Sequence, residues 1–318
     1  MFRFETEQTV YDIGGVKVGG QPGENATVLL GTMFYTGHKI IESRKKAKFD
    51  KKRAEELINR QETLSDQTGI PGMLDLVANF PEEIRTYIDF VTSVTEMPFS
   101  IDIWKVKPKL AAAEYIKETG LIDRTIYSSI APWSEDMERE VVELKKLGLK
   151  NAILVAYNVD DKTVQGRIDL LESTLLPNAK AAGFKNFLID TSVLSIPASA
   201  FSFLGNLEIK KRYGYPTGCA PSNGTDMWRK FVIPTWGKTG FSGVDSAAHA
   251  VAPLLWNDWL LYGPIENAGW IFPAVATSNA ILSTLVYDEV LTLPESDDHP
   301  LNKLFPDLVG QLKKEKGQ

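Results

Sequence analysis

Cysteine and histidine are scarce in this chain, which has one cysteine and three histidines among 318 residues. Cys219 alone cannot form an internal disulfide bond or supply the several thiolates of a structural zinc site. His38, His249 and His299 are too few and too scattered to predict a metal centre, so we expect no metal. A lone thiol and an N-terminus without the apolar core of a signal peptide favour a cytoplasmic protein.

An excess of positive charge is also lacking. Lys and Arg number 35 against 41 Asp and Glu, which gives a formal net charge of −6. Nucleic acids and anionic membrane surfaces attract basic proteins, so we expect neither as a partner. The uncharged segment 267–287 is about long enough to span a bilayer, but it contains several Asn, Ser and Thr residues. We therefore expect a soluble protein in which this helix packs on the fold, without membrane insertion.

Short apolar runs alternate with amphipathic helical segments along most of the chain. Such runs lack polar alternation, which is typical of strands buried on both faces in a parallel sheet. Eight of them, recurring about every 30 residues, predict a (β/α)8 TIM barrel of the α/β class. The runs are 27–33, 72–77, 99–103, 125–130, 152–157, 187–189, 215–219 and 259–262.

The regions outside the barrel are predicted from turn signals. Two short alternating runs joined by Gly14-Gly15 predict an N-terminal β-hairpin at 10–18 that closes the bottom of the barrel. The glycine-bearing segment 228–243 is predicted to be a loop, either mobile over the mouth or a rigid surface excursion. We expect a single barrel domain at 1–290 and a tail at 291–318 whose short helix packs outside the barrel.

Polar residues collect where the predicted strands end, and reactive groups of TIM barrels lie at these carboxyl ends. The set contains no strong nucleophile, because Cys219 lacks a basic partner and Lys105 lies beyond its strand end. The mouth is therefore predicted to recognise a ligand rather than to attack one. The residues are Asp75, Asp102, Ser128, Asn158, Asp190, Asn223, Glu266 and Asn267.

The carboxylates of Asp102 and Asp190 suit a particular class of ligand. A carboxylate accepts two parallel N–H bonds, so it matches a planar ring with adjacent donors, such as the guanidine-like edge of a pterin. The alternative for each carboxylate is a helix cap or a structural hydrogen bond.

Several longer phrases carry a family resemblance. The strand ends S-I-D-I-W, I-Y-S-S-I, F-L-I-D-T-S-V-L and C-A-P-S-N-G, in this order, resemble the pterin-binding barrel methyltransferases. The phrases F-R-F-E-T-E-Q, G-G-Q-P-G-E-N, G-T-M-F-Y-T-G-H-K-I and Y-G-P-I-E-N-A resemble the MtrH family of tetrahydromethanopterin S-methyltransferase. They equally resemble its bacterial relatives, which move a methyl group between methylcobalamin and tetrahydrofolate in glycine betaine metabolism. The resemblance covers residues 1–287.

The resemblance implies roles for individual residues. Asp190 and Asp102 would hold the aminopyrimidine ring, and Asn223 would lie near N5, the atom that gains or loses the methyl group. At Ser128 the family pattern usually has Asn, so the shorter side chain suggests a bridging water. The implied catalytic residues are Asn223 and Asp75. The implied pterin-binding residues are Asp102, Ser128, Asn158, Asp190, Asn223 and Glu266.

From this resemblance we expect a cobalamin-dependent methyltransferase of one-carbon metabolism that moves a methyl group between methylcobalamin and N5 of tetrahydrofolate, giving 5-methyltetrahydrofolate and cob(I)alamin. The methylcobalamin would be free or held by a separate corrinoid protein. The alternatives are an MtrH protein acting on methyl-tetrahydromethanopterin, a barrel lyase or isomerase for a phosphorylated substrate, and a non-catalytic docking barrel.

No dedicated cobalamin-binding domain is expected in this chain. The corrinoid signature D-x-H-x-x-G is matched at its first three places by Asp297, Asp298 and His299, but Asn302 stands where the signature has glycine. The family resemblance further suggests a homodimer.

Overall fold

Eight parallel strands close into a barrel in the computed structural model, which describes residues 2–315. The predicted (β/α)8 fold is confirmed, and sequential strands are neighbours around the whole barrel. Residues 1 and 316–318 of the predicted domain and tail lie outside the described residues. The barrel strands are β1 (Val28–Met33), β2 (Gly72–Val77), β3 (Phe99–Asp102), β4 (Thr125–Ile130), β5 (Asn151–Val155), β6 (Asn186–Asp190), β7 (Thr217–Cys219) and β8 (Trp259–Pro264).

Helices follow the strands and form the outer layer. Asp50 caps the first one by accepting a hydrogen bond from the N–H of Arg53, and Gly69 ends it with a φ of 75°. Asp136 caps the fourth helix by accepting a hydrogen bond from the N–H of Arg139. The helices are α1 (Lys51–Thr68), α2 (Pro81–Val94), α3 (Val106–Glu118), α4 (Met137–Leu147), α5 (Val164–Leu170), α6 (Leu176–Ala181), α7 (Ser199–Tyr213), α8 (Pro221–Leu254), α9 (Ala268–Val290), α10 (Pro300–Leu304) and α11 (Pro306–Glu315).

The N-terminal hairpin fills the bottom of the barrel, as predicted. Its strands, Val10–Ile13 and Val16–Gly19, pair antiparallel. The hairpin residues Ile13 and Val18 belong to the same buried cluster as the inward-facing barrel residues Met73 and Trp259. Apolar contacts of the described residues therefore close this end of the barrel, and the cavity opens at the opposite end.

The predicted loop at 228–243 is wrong, because these residues are part of helix α8. The helical backbone is interrupted at Gly237, whose φ of 73° produces a kink. Val232 and Phe241, on either side of the kink, are buried. The burial of these two side chains stabilises the helix despite the low helix propensity of the glycines and of Pro234. A single sequence shows the propensity but not the burial.

The apolar helix near the C-terminus packs on the barrel. Residues Ile265–Val290 are long and apolar enough to cross a bilayer by length and composition, but more than half of their most apolar window is buried inside the protein. Helix α9 lies against α8 and α1, and the tail packs on its outer side. The tail contacts include a hydrogen bond from the Tyr287 hydroxyl to the Leu312 carbonyl at 2.8 Å.

A buried ion pair holds the bottom of the barrel together. Lys210 of α7 is 1% exposed and its Nζ lies 2.8 Å from both carboxylate oxygens of Asp258, just before β8. The same Nζ donates to the Gly20 carbonyl at the end of the hairpin, and Asp258 accepts the N–H of Thr217 in β7. One cation thus links a helix, two strands and the hairpin.

We expect Lys210→Met to lower the free energy of unfolding by about 3–5 kcal/mol, because it leaves the Asp258 carboxylate buried without its cation. The matched control is Lys211→Met on the same helix, since Lys211 pairs with Glu208 on the exposed surface. Such surface pairs contribute about 0–1 kcal/mol. Urea unfolding followed by circular dichroism measures both changes, and equal losses in the two variants would contradict the assigned role.

Candidate functional site

The inward faces of the strands change from apolar to polar towards the mouth. On β2 the inward residues are Met73 and then Asp75, and on β6 they are Leu188 and then Asp190. Side chains alternate along a strand, so an inward residue is followed two positions later by another. The carboxylates therefore stand directly above the packed interior, at the open end of the barrel.

The mouth is a cavity of about 1230 Å³. One predicted residue does not reach it: Asn158 lies three residues after the end of β5, and its Oδ1 accepts the N–H groups of Asp160 and Asp161. The strand ends at Val155, earlier than the sequence predicted. The predicted residues that line the cavity are Asp75, Asp102, Ser128, Asp190, Asn223, Glu266 and Asn267.

Asp75 and Asp102 form an interacting acidic pair on neighbouring strands. Asp75 is 2% exposed and accepts a hydrogen bond from the Ser100 hydroxyl. Burial, and secondly the charge of Asp102, hold the pKa of Asp75 well above its usual range. Asp102 is exposed to the cavity by surface area, but many protein atoms surround it, and this partial desolvation raises its pKa as well. Both shifts disfavour the doubly ionised pair, and the shift is larger for Asp75, the more deeply buried of the two.

The Asp102 carboxylate is without a hydrogen-bond partner in the described part of the chain. Among residues 2–315, no group donates a hydrogen bond to either of its oxygens. An ionised carboxylate that lines a cavity without donors is suited to accept N–H groups from a ligand. The helix-cap alternative therefore does not apply to Asp102.

One carboxylate oxygen of Asp190 forms a hydrogen bond within the loop that follows β6. Its Oδ1 accepts the N–H of Ser192 at 2.7 Å, and Ser192 has the left-handed φ of 51° that this turn requires. Burial raises the pKa of Asp190 to about 6, although the Ser192 N–H and the Arg167 guanidinium oppose the rise. Arg167 itself is buried and donates to the Thr191 carbonyl, so it stands behind the carboxylate. The second oxygen of Asp190 accepts no hydrogen bond from residues 2–315.

Glu266 lies on the other side of the mouth, where its carboxylate is next to His38 and Tyr35. His38 Nδ1 accepts the N–H of Phe34, so the neutral ring carries its proton on Nε2. That nitrogen makes an oblique contact of 3.2 Å with Glu266 Oε1, and the Tyr35 hydroxyl lies 3.4 Å from both carboxylate oxygens. Burial alone raises the pKa of Glu266, but His38 and Tyr35 outweigh it and lower the pKa below its usual value. Glu266 is therefore ionised.

Asn223 and Ser128 present polar groups to the cavity. Asn223 is exposed in the first turn of α8, and its amide has no partner among residues 2–315. Ser128 is 7% exposed and precedes a cis peptide bond to Ser129 at the end of β4. Asn267 differs, because its amide donates to the buried carboxylate of Asp245 and thus supports the wall.

Lys109 is a site residue that the sequence analysis missed. It is 4% exposed, and its Nζ lies 2.8 Å from Glu140 Oε1 and 2.6 Å from the Ser129 carbonyl oxygen. It also lines the cavity, and its charge lowers the pKa of Asp102. A signal was present, since Lys109 lies in the apolar stripe of α3 between Val106 and Ala113. Lys105, which the sequence singled out, is exposed at the start of that helix.

Cys219 and two of the three histidines are buried in structural settings. Cys219 is fully buried, and burial holds the pKa of its thiol well above the usual range. His249 is fully buried in α8, and its Nδ1 lies 2.8 Å from the Asp245 carbonyl oxygen. His299 is 3% exposed, and its Nδ1 accepts the N–H of Leu301 as a helix cap.

Comparison with known families gives one match over most of the chain. Residues 6–292 match the family described as tetrahydromethanopterin S-methyltransferase MtrH subunit. The MtrH protein from Methanothermobacter marburgensis is 37% identical over 96% of this chain and 100% of its own length. The corresponding protein of a putative mtx methyltransferase from Methanosarcina barkeri is 38% identical over the same shares.

Solved structures share the fold at low sequence identity. Dihydropteroate synthase from Xanthomonas albilineans, in complex with 7,8-dihydropteroate, has a TM-score of 0.57 at 15% identity and covers 90% of this chain and 99% of its own. The enzyme from Coxiella burnetii in complex with pteroic acid has a TM-score of 0.54 at 12% identity over 81% and 94%. These likenesses show the barrel fold alone.

The prediction of tetrahydrofolate as the methyl acceptor is wrong. The family model and the MtrH relatives are named for tetrahydromethanopterin, which was one of the alternatives left open by the sequence. The assignment to glycine betaine metabolism depended on the same choice and finds no support in these matches. The phrases quoted from the sequence are shared by both groups and could not separate them.

We expect Lys109→Gln to raise the pKa of Asp102 further, because it removes the cation that opposes the rise and keeps a donor for Ser129 and Glu140. The pKa can be followed by carboxyl ¹³C NMR. Lys105→Gln is the matched control, since this exposed lysine precedes the same helix and should leave the titration unchanged. An unaltered Asp102 titration in Lys109→Gln would contradict the electrostatic role.

Proposed function

The chain belongs to the MtrH family of tetrahydromethanopterin S-methyltransferase, and from this premise we propose that it transfers the methyl group on N5 of methyl-tetrahydromethanopterin to a corrinoid. The pterin is the substrate held in the barrel mouth. The corrinoid is held by a separate protein or is free. Location in the cytoplasm and a homodimeric state, expected from the sequence, remain predictions within this proposal.

The observation that carries the proposal is the pair of incompletely satisfied carboxylates in the cavity. Among residues 2–315, no group donates a hydrogen bond to either carboxylate oxygen of Asp102 or to the second oxygen of Asp190, and both side chains line the mouth. The edge of a pterin offers an amino group and a ring N–H side by side, which a carboxylate accepts as two parallel bonds. Lys109 and Arg167 stand behind these carboxylates and favour their ionised forms. The site is thereby preorganised for a neutral ring rich in donors.

Asp75 and Asn223 support the change in N5 during transfer. When the methyl group leaves, the N5–methyl bond breaks, its electron pair remains on N5, and N5 takes a proton. The corrinoid, as the methyl acceptor, supplies the electron pair for the new bond. Asn223 has an amide without a partner among residues 2–315 that can donate to N5, and Asp75 lies on the cavity wall, where burial raises its pKa and favours its protonated form. Asp75 can thus supply a proton and Asn223 a hydrogen bond to N5 as the methyl group leaves.

The described residues do not fit a resident corrinoid. His299, the histidine of the partial corrinoid signature, is buried and uses its Nδ1 to cap α10, and its Nε2 lies 3.4 Å from the Ser283 hydroxyl. It cannot serve as an exposed axial ligand without losing these contacts. The corrinoid must therefore approach from outside the mouth, which supports a corrinoid-carrying partner.

The purified chain should consume cob(I)alamin when methyl-tetrahydromethanopterin is added, because the site holds the methylated pterin and the free corrinoid replaces the partner. The decay of the cob(I)alamin absorbance gives the rate. 5-Methyltetrahydrofolate is the control substrate, and we expect its kcat/KM to be lower. Equal or faster reaction of the folate would contradict the proposed substrate, and indifference to both pterins would contradict the reaction.

The two proposed roles predict different kinetic defects. Asp190→Asn should weaken pterin binding by about ten- to a hundredfold, since charge-assisted hydrogen bonds contribute about 1.5–3 kcal/mol. Binding to the unmodified protein should also weaken as pH falls through about 6, where Asp190 protonates. Asn223→Ala should lower kcat more than affinity, since its hydrogen bond strengthens as N5 gains its electron pair.

Asn158→Ala is the matched control for both variants, because Asn158 follows a neighbouring strand but lies outside the cavity lining. Pterin affinity by isothermal titration calorimetry and single-turnover rates separate the two defects. Loss of affinity without loss of rate in Asn223→Ala would contradict its catalytic role, and full affinity in Asp190→Asn would make that carboxylate structural.

A further inference from the structure

The rim of the mouth is divided into an apolar half and a charged half. Over the contiguous strands β3 to β6, the cavity-lining residues beyond the strand ends include four exposed apolar side chains, which we call the apolar lip. Over β7, β8 and β1 the rim carries charged residues, among them Arg229, Glu266 and Arg53. The apolar lip consists of Trp104, Trp133, Val159 and Leu194.

Two tryptophans dominate the apolar lip. Trp104 is 69% exposed and Trp133 is 39% exposed, and their rings stack with centroids 5.7 Å apart and planes 11° from parallel. Large apolar side chains that stay exposed around a cavity mark a binding surface. A stacked indole pair leaves flat faces and edges available, which favours an aromatic occupant over an aliphatic one.

We propose that the apolar lip binds the aryl ring carried on the C6 side chain of the reduced pterin, as a subsite next to the pterin ring. The inference rests on the proposed function and adds a specificity-determining contact to it. Pteridine head groups and their aryl tails are covalently joined, so the tail must lie within a few bonds of the anchored ring. Trp104 is close enough to contact such a tail, because it is only two residues after Asp102 in the chain.

The size of the cavity agrees with a ligand longer than the pterin ring. Pockets that enclose whole drug-sized ligands measure about 300–1,000 Å³, and this cavity measures about 1230 Å³. A bicyclic ring held by Asp102 and Asp190 fills only its inner part. The tail and the approaching corrinoid must share the remainder of the cavity. The apolar lip suits the aryl ring of the tail, and the division of the rim keeps the tail apart from the corrinoid.

Binding measurements with two reduced pterins test this subsite. The probes are tetrahydromethanopterin, which has the aryl ring, and 6-methyltetrahydropterin, which lacks it. We expect Trp104→Ala to weaken tetrahydromethanopterin binding about three- to tenfold, the size of one aromatic contact, and to leave 6-methyltetrahydropterin unchanged. Trp104→Phe should restore most of the loss, because it keeps an aromatic face.

Trp236→Ala is the matched control, since Trp236 is 51% exposed but does not line the cavity, and it should bind both probes normally. Equal weakening of both probes in Trp104→Ala would overturn the subsite and make the indole a support for β3. Normal binding of both probes, with slower methyl transfer to the corrinoid at saturating pterin, would overturn it in favour of a corrinoid contact. Failure of the unmodified protein to bind either probe would instead overturn the proposed function.

Discussion

Closure of the barrel brings three ionisable carboxylates together at one cavity, where the surrounding protein partly desolvates them. Asp75, Asp102 and Asp190 lie near the carboxyl ends of three strands, so they cannot separate without opening the sheet. Desolvation raises the pKa of each, and for Asp75 and Asp190 the charge of Asp102 adds to the rise. This unfavourable electrostatic arrangement persists because the packed interior and the outer helices fix the strands.

The cations that relieve this crowding are placed behind the carboxylates. Lys109 is held by Glu140 and the Ser129 carbonyl, and Arg167 by the Thr191 carbonyl. Among the described residues, neither cation forms a direct ion pair with Asp102 or Asp190, so the carboxylate oxygens remain open to the cavity. A direct salt bridge would satisfy the same charges but would occupy the positions that ligand N–H groups need. The fold thus stabilises the charge and preserves the binding capacity.

The bottom of the barrel is built for stability and the mouth for binding, and the two ends differ in how many partners their charged and polar side chains have. At the bottom, the hairpin and the Lys210–Asp258 pair join elements far apart in the sequence, and both of these charged groups have several partners within the protein. At the mouth, the side chains of Asp102 and Asn223 have no hydrogen-bond partner among residues 2–315. Polar groups with hydrogen-bond partners inside the protein contribute to stability, whereas polar groups without such partners can bind a ligand. The division of the rim into the apolar lip and a charged half extends this contrast to the surface.

The sequence by itself determined the barrel, its hairpin and most of the acidic residues at the mouth, because a strand buried on both faces is a local apolar run in which a carboxylate stands out. Asp75, Asp102 and Asp190 were found in this way. Only the tertiary structure decided that Asn158 turns into its loop, that Lys109 reaches the cavity, and that 228–243 is helical. Each of these outcomes depends on how the folded chain packs, where burial and tertiary contacts outweigh the local propensities that a single sequence displays.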